Sequence, residues 1–170
     1  MMIRNLAILV GAVVIITALT VATPYWVQSS KSDFAVLKEG APVDNFNFKT
    51  IDGSAYALND FKGAPVLVHF WATWCPPCIV EFPALVRAAK KNPDIIVIAI
   101  STDRARASLD RFLSRYDIPN NFHVVFDADK MLTEQYFGTY QLPETLVLNA
   151  DLTLEQKMIG AYTGWRSYKF

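Results

Sequence analysis

The sequence predicts an α/β fold, a central sheet with helices on both faces, and three observations carry that expectation. Runs rich in β-branched and apolar residues, Pro65 to Ala72, Asp94 to Ser101 and Phe122 to Phe126, alternate with segments whose apolar residues recur at helical spacing. Two further runs, Thr145 to Asn149 and Leu154 to Gly160, flank a tight turn at Ala150-Asp151 and should pair antiparallel. Ahead of all of them lies a long apolar segment with no place in that alternation.

That leading segment comes first in the chain. From Leu6 to Ala22 every residue is apolar or small except Thr17 and Thr20, and Arg4 is the only charged side chain before Lys31. As a helix it would span roughly 25 Å, the short end of what crosses a bilayer. Ile3 and Pro24-Tyr25-Trp26-Val27 lengthen the apolar band, and the aromatic pair suits a headgroup interface. Residues 1–28 are therefore expected to form a transmembrane signal-anchor helix in the inner (cytoplasmic) membrane, with Arg4 inside and the rest exported. A cleaved signal peptide is the competing reading. Its best cleavage site, Thr20-Val21-Ala22, is a poor one. Residues 29–39 are polar enough to serve as a tether, which leaves 40–170 as the domain.

Residues 31–170 are near neutral: of the chain's 16 basic and 16 acidic side chains only Arg4 lies outside them. No large single-sign field is available to grip nucleic acid. The cluster Arg104, Arg106, Arg111 and Arg115 reads as the solvated face of a helix.

The domain elements follow in order. Val43 to Thr50 alternates with Phe46 and Phe48 on one face, and Asp52-Gly53 supplies a hairpin turn before Ser54 to Leu58. Pro65 to Ala72 is almost wholly apolar, as in a strand buried on both faces. Ile79 to Lys91 places Phe82, Leu85, Val86 and Ala89 on one helical face with Cys78, and Pro83 should kink it. After the second strand, Ser101-Thr102-Asp103 offers helix caps, and Ala105, Leu109, Phe112, Leu113 and Tyr116 form the stripe of the next helix. Asp129 to Phe137 is expected to be a short helix.

The chemistry is concentrated in one place. The only two cysteines are Cys75 and Cys78, in the run Trp74-Cys75-Pro76-Pro77-Cys78 at a strand-to-helix junction. There a thiol meets unpaired backbone N–H groups and the positive end of the helix dipole, both of which favour thiolate. The pair reads as a dithiol–disulfide exchange site. Half of a zinc site is one alternative, but structural zinc usually takes four ligands, and the only histidines, His69 and His123, are not at finger spacing. An inert staple is another, although so short a loop gains little from closure.

The order of elements, with Trp-Cys-Pro-Pro-Cys closing a central strand, resembles the thioredoxin fold, and most closely its membrane-anchored TlpA/ResA/DsbE (CcmG)-type branch. Gly40-Ala41-Pro42 with the following hairpin resembles that branch's N-terminal β-hairpin extension. Phe61-Lys62-Gly63, the approach Val66 to Cys75, Glu81-Phe82-Pro83, and Gly138 to Thr145 (GTYQLPET) resemble its further signatures. The likeness covers about residues 40 to 160 and is specific for the fold, less so for the sub-family.

The resemblance implies several residue roles. Pro143 would be the cis-proline facing the dithiol, leaving the Leu142 peptide free to pair with an incoming chain. Glu81, one helical turn beyond Cys78, would be a buried acid that exchanges a proton with that thiol, unless it is a solvated helix charge. Glu144 is a further proton-relay candidate. His69 stands where ordinary thioredoxins have a buried aspartate, either as a neutral proton shuttle or as a satisfied core histidine. The implied reaction is attack by the Cys75 thiolate on a client protein disulfide, then resolution by Cys78. No cofactor or metal is required. The family suggests a periplasmic reductant for cytochrome c maturation, acting on apocytochrome c or its maturation proteins and recharged by a membrane thiol reductase. The rivals are a disulfide-donating oxidase and a copper-binding assembly factor. A peroxidase is disfavoured by Ala72, three residues before Cys75.

Overall fold

A computed structural model describes residues 37–170, so the expected anchor over 1–28 and most of the tether lie outside the described residues. No helix among those described is long and apolar enough to cross a membrane. Five strands form the main sheet: β3 (Val66–Trp71), β4 (Ile96–Ser101), β5 (Phe122–Phe126), β6 (Glu144–Leu148) and β7 (Leu154–Ile159), in the order β5-β4-β3-β6-β7. β3, β4 and β5 run parallel, while β6 and β7 are antiparallel to their neighbours. Every residue of β3 is buried, as its uninterrupted apolar run implied.

Helix α1 (Pro76–Lys91) joins β3 to β4, and α2 (Arg106–Leu113) joins β4 to β5. Both connections step the same way across the sheet, and right-handed crossovers in one direction put their helices on one face. That face packs Leu67, Trp71, Val97 and Val147 against Phe82, Leu85, Leu109 and Phe112. Helices on both faces were expected; the second face instead carries a hairpin, β1 (Asn47–Lys49) and β2 (Ala55–Ala57), and a single π-helical turn, Met131–Tyr136. Phe46, Phe48, Phe70 and Phe137 meet there. Asp127 holds the start of that turn, accepting hydrogen bonds from the N–H groups of Leu132 and Thr133.

The N-terminal segment straps the sheet at both edges. Gly40 and Val43 donate backbone hydrogen bonds to Leu154 and Leu152, where β7 begins. The hairpin turn, with Gly53 at φ +97°, swings Ile51 to the opposite edge, where its N–H donates to Val124 of β5 at 2.9 Å. Two local expectations fail. Ala105, not Ser101, Thr102 or Asp103, precedes the first turn of α2, and no side chain caps it; Ala105 itself is exposed.

Candidate active site

β3 delivers the chain to the site. Beyond Trp71 the backbone leaves the sheet through Ala72–Trp74, and Cys75 becomes the residue preceding α1, with extended backbone at φ −94°, ψ 107°. Pro76 and Pro77 fill the first helical positions, where a missing N–H costs nothing and the preset φ suits the helix. The first helix-start amide that can face a sulfur is therefore that of Cys78. The two cysteines are joined as a disulfide with Cα atoms 5.3 Å apart. Cys75 retains 4% exposure, whereas Cys78 has none. The disulfide thus sits at the positive end of the α1 dipole, and that field favours a thiolate once the bond opens.

The loop before Cys75 is fastened from the next strand. Buried Asp103 accepts a hydrogen bond from the Thr73 N–H at 3.0 Å and another from its hydroxyl, and the Ser101 hydroxyl donates to it at 2.7 Å. The Ser-Thr-Asp run was expected to cap α2; its carboxylate turns back to hold the active-site loop instead.

A groove of about 330 Å³ opens beside the disulfide, lined by Trp74, Cys75, Pro76, Tyr140 and Leu142 among others. Trp74 and Tyr140 are well exposed on its rim. The Leu142–Pro143 peptide is cis, and Leu142 brings that bend to the same groove as Cys75. Pro143 itself is buried.

Glu81 lies wholly buried on α1, three residues beyond Cys78. It is not a solvated helix charge. Its Oε1 accepts from the Trp165 indole Nε1 at 2.6 Å, while Oε2 has no protein partner. Burial pushes its pKa above the ordinary carboxylate value, partly offset by the Trp165 bond and the Tyr162 backbone N–H.

His69 is also fully buried, with Nδ1 2.9 Å from the Thr145 hydroxyl and Nε2 unpartnered. Desolvation lowers its pKa to about 3, so the ring is neutral at physiological pH. Alternation along β3 puts it on the face that α1 covers, with Leu67 and Trp71. Glu144, at the start of β6, accepts from Thr139 Oγ1 at 2.6 Å and pairs with Lys157 Nζ at 3.0 Å. His123 packs between Tyr56 and Phe61, away from the disulfide. Among the described residues no cluster of three or more His, Cys, Asp or Glu side chains is placed to hold a metal ion.

Two residues that hold this site together were not anticipated. Asp103 was assigned to a helix end, and Trp165 lies in a C-terminal stretch with neither period. The signal for Trp165 was the aromatic density of Tyr162, Trp165, Tyr168 and Phe170, which needs something to pack against.

Known proteins share this arrangement. Residues 39–157 match the AhpC/TSA family. The thiol-disulfide oxidoreductase ResA of Bacillus subtilis (strain 168) is 31% identical over 130 residues, covering 75% of this chain and 69% of ResA. The thiol:disulfide interchange protein DsbE of Pseudomonas aeruginosa is 29% identical over 159 residues, 92% of this chain and 85% of its own. The structure of a secreted Mycobacterium tuberculosis disulfide oxidoreductase homologous to E. coli DsbE superposes with a TM-score of 0.62. It is 26% identical, covering 72% of this chain and 94% of that one. The chain therefore belongs to the AhpC/TSA family, as a thioredoxin-like thiol-disulfide oxidoreductase of the ResA and DsbE type.

Proposed function

We propose that this oxidoreductase works outside the cytoplasm as a reductant of client disulfides, in cytochrome c maturation. Residues 1–28 would anchor it in the inner membrane and 29–39 tether the domain, 40–170, on the periplasmic side. What carries the reading is one buried helical face on which Cys78 and Glu81 lie a turn apart beneath the sulfur of Cys75.

In the reduced protein the Cys75 thiolate attacks one sulfur of the client disulfide. That bond breaks, the departing client thiolate takes up a proton, and a Cys75–client mixed disulfide forms. Cys78 then gives its proton to the Glu81 carboxylate and attacks Cys75, expelling the second client thiolate. Two electrons have passed to the client, and the chain is left with the Cys75–Cys78 disulfide. A membrane thiol reductase restores both thiols. Pro143 faces the dithiol in this scheme, the Leu142 backbone receives the client chain and neutral His69 is a relay group for the Cys78 proton. Glu144, a relay candidate from the sequence, pairs across from Phe70 on the sheet face away from α1 and takes no part. Apocytochrome c, or a protein that matures it, is the client.

A disulfide-donating oxidase would use the same atoms in reverse, so the equilibrium potential separates the two. Titration of the dithiol against glutathione and dithiothreitol buffers should give a potential near or below that of thioredoxin, about −270 mV. A value near −120 mV, where strong oxidants lie, would reverse the assigned direction. The order of attack is tested by Cys78→Ser, which should accumulate reductant-sensitive adducts with its clients while Cys75→Ser does not. A copper-binding factor would trap nothing and would lose metal equally with either substitution.

A further inference from the structure

The groove at Cys75 does not end at the disulfide. Trp74, Thr102 and Lys130 form its wall and also line a second depression, which continues past Thr73 to Arg104. Thr73 and Ser108 in turn line a third, floored by Phe112 and edged by Ile79, Arg111 and Arg115. The three share walls and so make one furrow running from the reactive sulfur across the loop to α2.

Its charge is one-sided. Lys130 is neutralised by Glu134 at 2.6 Å, and Arg106 by Asp110 at 2.7 Å. Asp103 is buried and committed to Thr73 and Ser101. Arg104, Arg111 and Arg115 are all exposed, and none has a carboxylate partner among the described residues. The Arg115 guanidinium is spread over the Phe112 ring, 4.7 Å from its centroid, with Nε donating to the Phe112 carbonyl. A guanidinium so braced keeps its outer N–H groups free for a carboxylate. The arginines expected to be merely a solvated helix face therefore divide, one self-paired and three left open along the furrow. This happens on a domain whose overall charge is close to neutral, so the positive field is local to the furrow.

We propose that this furrow binds an acidic segment of the client protein, lying next to the disulfide being reduced. It presupposes the exchange reaction proposed above and adds the client's charge to it. The apolar walls at Trp74 and Leu142 take side chains nearest the disulfide, and Arg104, Arg111 and Arg115 take Asp or Glu several residues away. Electrostatic attraction of this kind acts mainly on the rate of encounter and fades with salt.

The test uses two synthetic peptides with one disulfide each, identical except that the residues several positions from it are Asp and Glu in one and Lys in the other. Reduction of each by the reduced full-length protein is followed at low and at high ionic strength. The acidic peptide should react about tenfold faster at low salt, and the ratio should approach one at 1 M salt, where the screening length is about 3 Å. In Arg104→Glu/Arg111→Glu the low-salt ratio should invert; because it is a ratio within one protein, any general loss of activity cancels. Equal rates for the two peptides in the wild type overturn the acidic client, and so does a ratio that the substitutions leave unchanged. In that event, arginine-dependent sedimentation with phosphatidylglycerol vesicles would assign the furrow to a lipid surface, and an arginine-dependent dimer to a second copy. Failure to reduce either peptide, with thiols that open normally in dithiothreitol, would instead remove the exchange reading beneath it.

Discussion

The indole of Trp165 reaches back across 84 residues to donate a 2.6 Å hydrogen bond to the Glu81 carboxylate. The acid one turn beyond Cys78 is therefore held by the C-terminal segment, not by its own helix. Burial of this carboxylate, with Oε2 left without a side-chain partner, raises its affinity for a proton, the direction that the proposed acceptor of the Cys78 proton requires.

Glu81→Gln keeps the shape and removes the titration. Alkylation of the thiols against pH should lose one inflection and the resolving step should slow, while circular dichroism stays unchanged. Stability should also respond with a definite sign. The Glu81 pKa is raised on folding, so the folded state binds the proton more tightly and stability falls as pH climbs from the ordinary carboxylate value through the raised one. Melting of wild type and variant compared across that interval should show the wild type losing ground. Parallel curves would mean that Glu81 does not titrate in the fold.

Trp165→Phe removes the donor and retains most of the packing. Leaving a buried acceptor short of its partner costs about 1–3 kcal/mol, readable as a lower denaturation midpoint. The Glu81 inflection should move to still higher pH, because the bond that opposed desolvation is gone.

Asp103→Ala removes the acceptor for two donors of the loop that presents Cys75 and for the Ser101 hydroxyl on β4. A destabilisation of about 2–3 kcal/mol is expected from the orphaned groups. Exchange should slow beyond what the lost stability explains, measured with a small disulfide at a temperature where the variant is fully folded. Asp103→Asn retains an acceptor oxygen and should recover part of both.

His69 makes the opposite pH prediction from Glu81. Its folded pKa of about 3 lies below the ordinary 6.5, so the unfolded chain binds the proton first as pH falls. Stability from this group is complete above about 6.5 and is lost progressively toward about 3. His69→Asn should flatten the acid limb of a stability-versus-pH curve across that window. An unchanged limb would show that the ring escapes protonation by some other means.

The sequence made the scaffold of the site legible where burial is continuous. β3 and β4 are apolar almost throughout and buried on both faces, and Cys78, Phe82 and Leu85 mark the inner side of α1 without ambiguity. Pro143 and Glu81 could be named only by resemblance, since neither a cis peptide nor a buried acid leaves a local period. Asp103 was misassigned because Ser-Thr-Asp before a helix is a cap signature, and only tertiary structure shows which way a carboxylate turns. Trp165 stayed invisible for the converse reason: its partner is remote, and its own segment is neither strand nor long helix. The placement of both helices on one face needed the strand order, which apolar periodicity does not encode.

The strap formed by the residues ahead of β3 has a consequence for how the chain comes to its fold. Its docking points are Val124 at one sheet edge and Leu152 and Leu154 at the other, so they belong to the last strands to be synthesised. A segment made early can close its own hairpin, β1 with β2, but its bonds to the sheet must wait until β5 and then β7 have followed it. During that interval both flanks of the nascent sheet present open backbone donors and acceptors, the geometry that invites neighbouring chains to add on. The strap is thus the closing seam of the molecule, and the vulnerable stage in its biogenesis is the time before that seam is made.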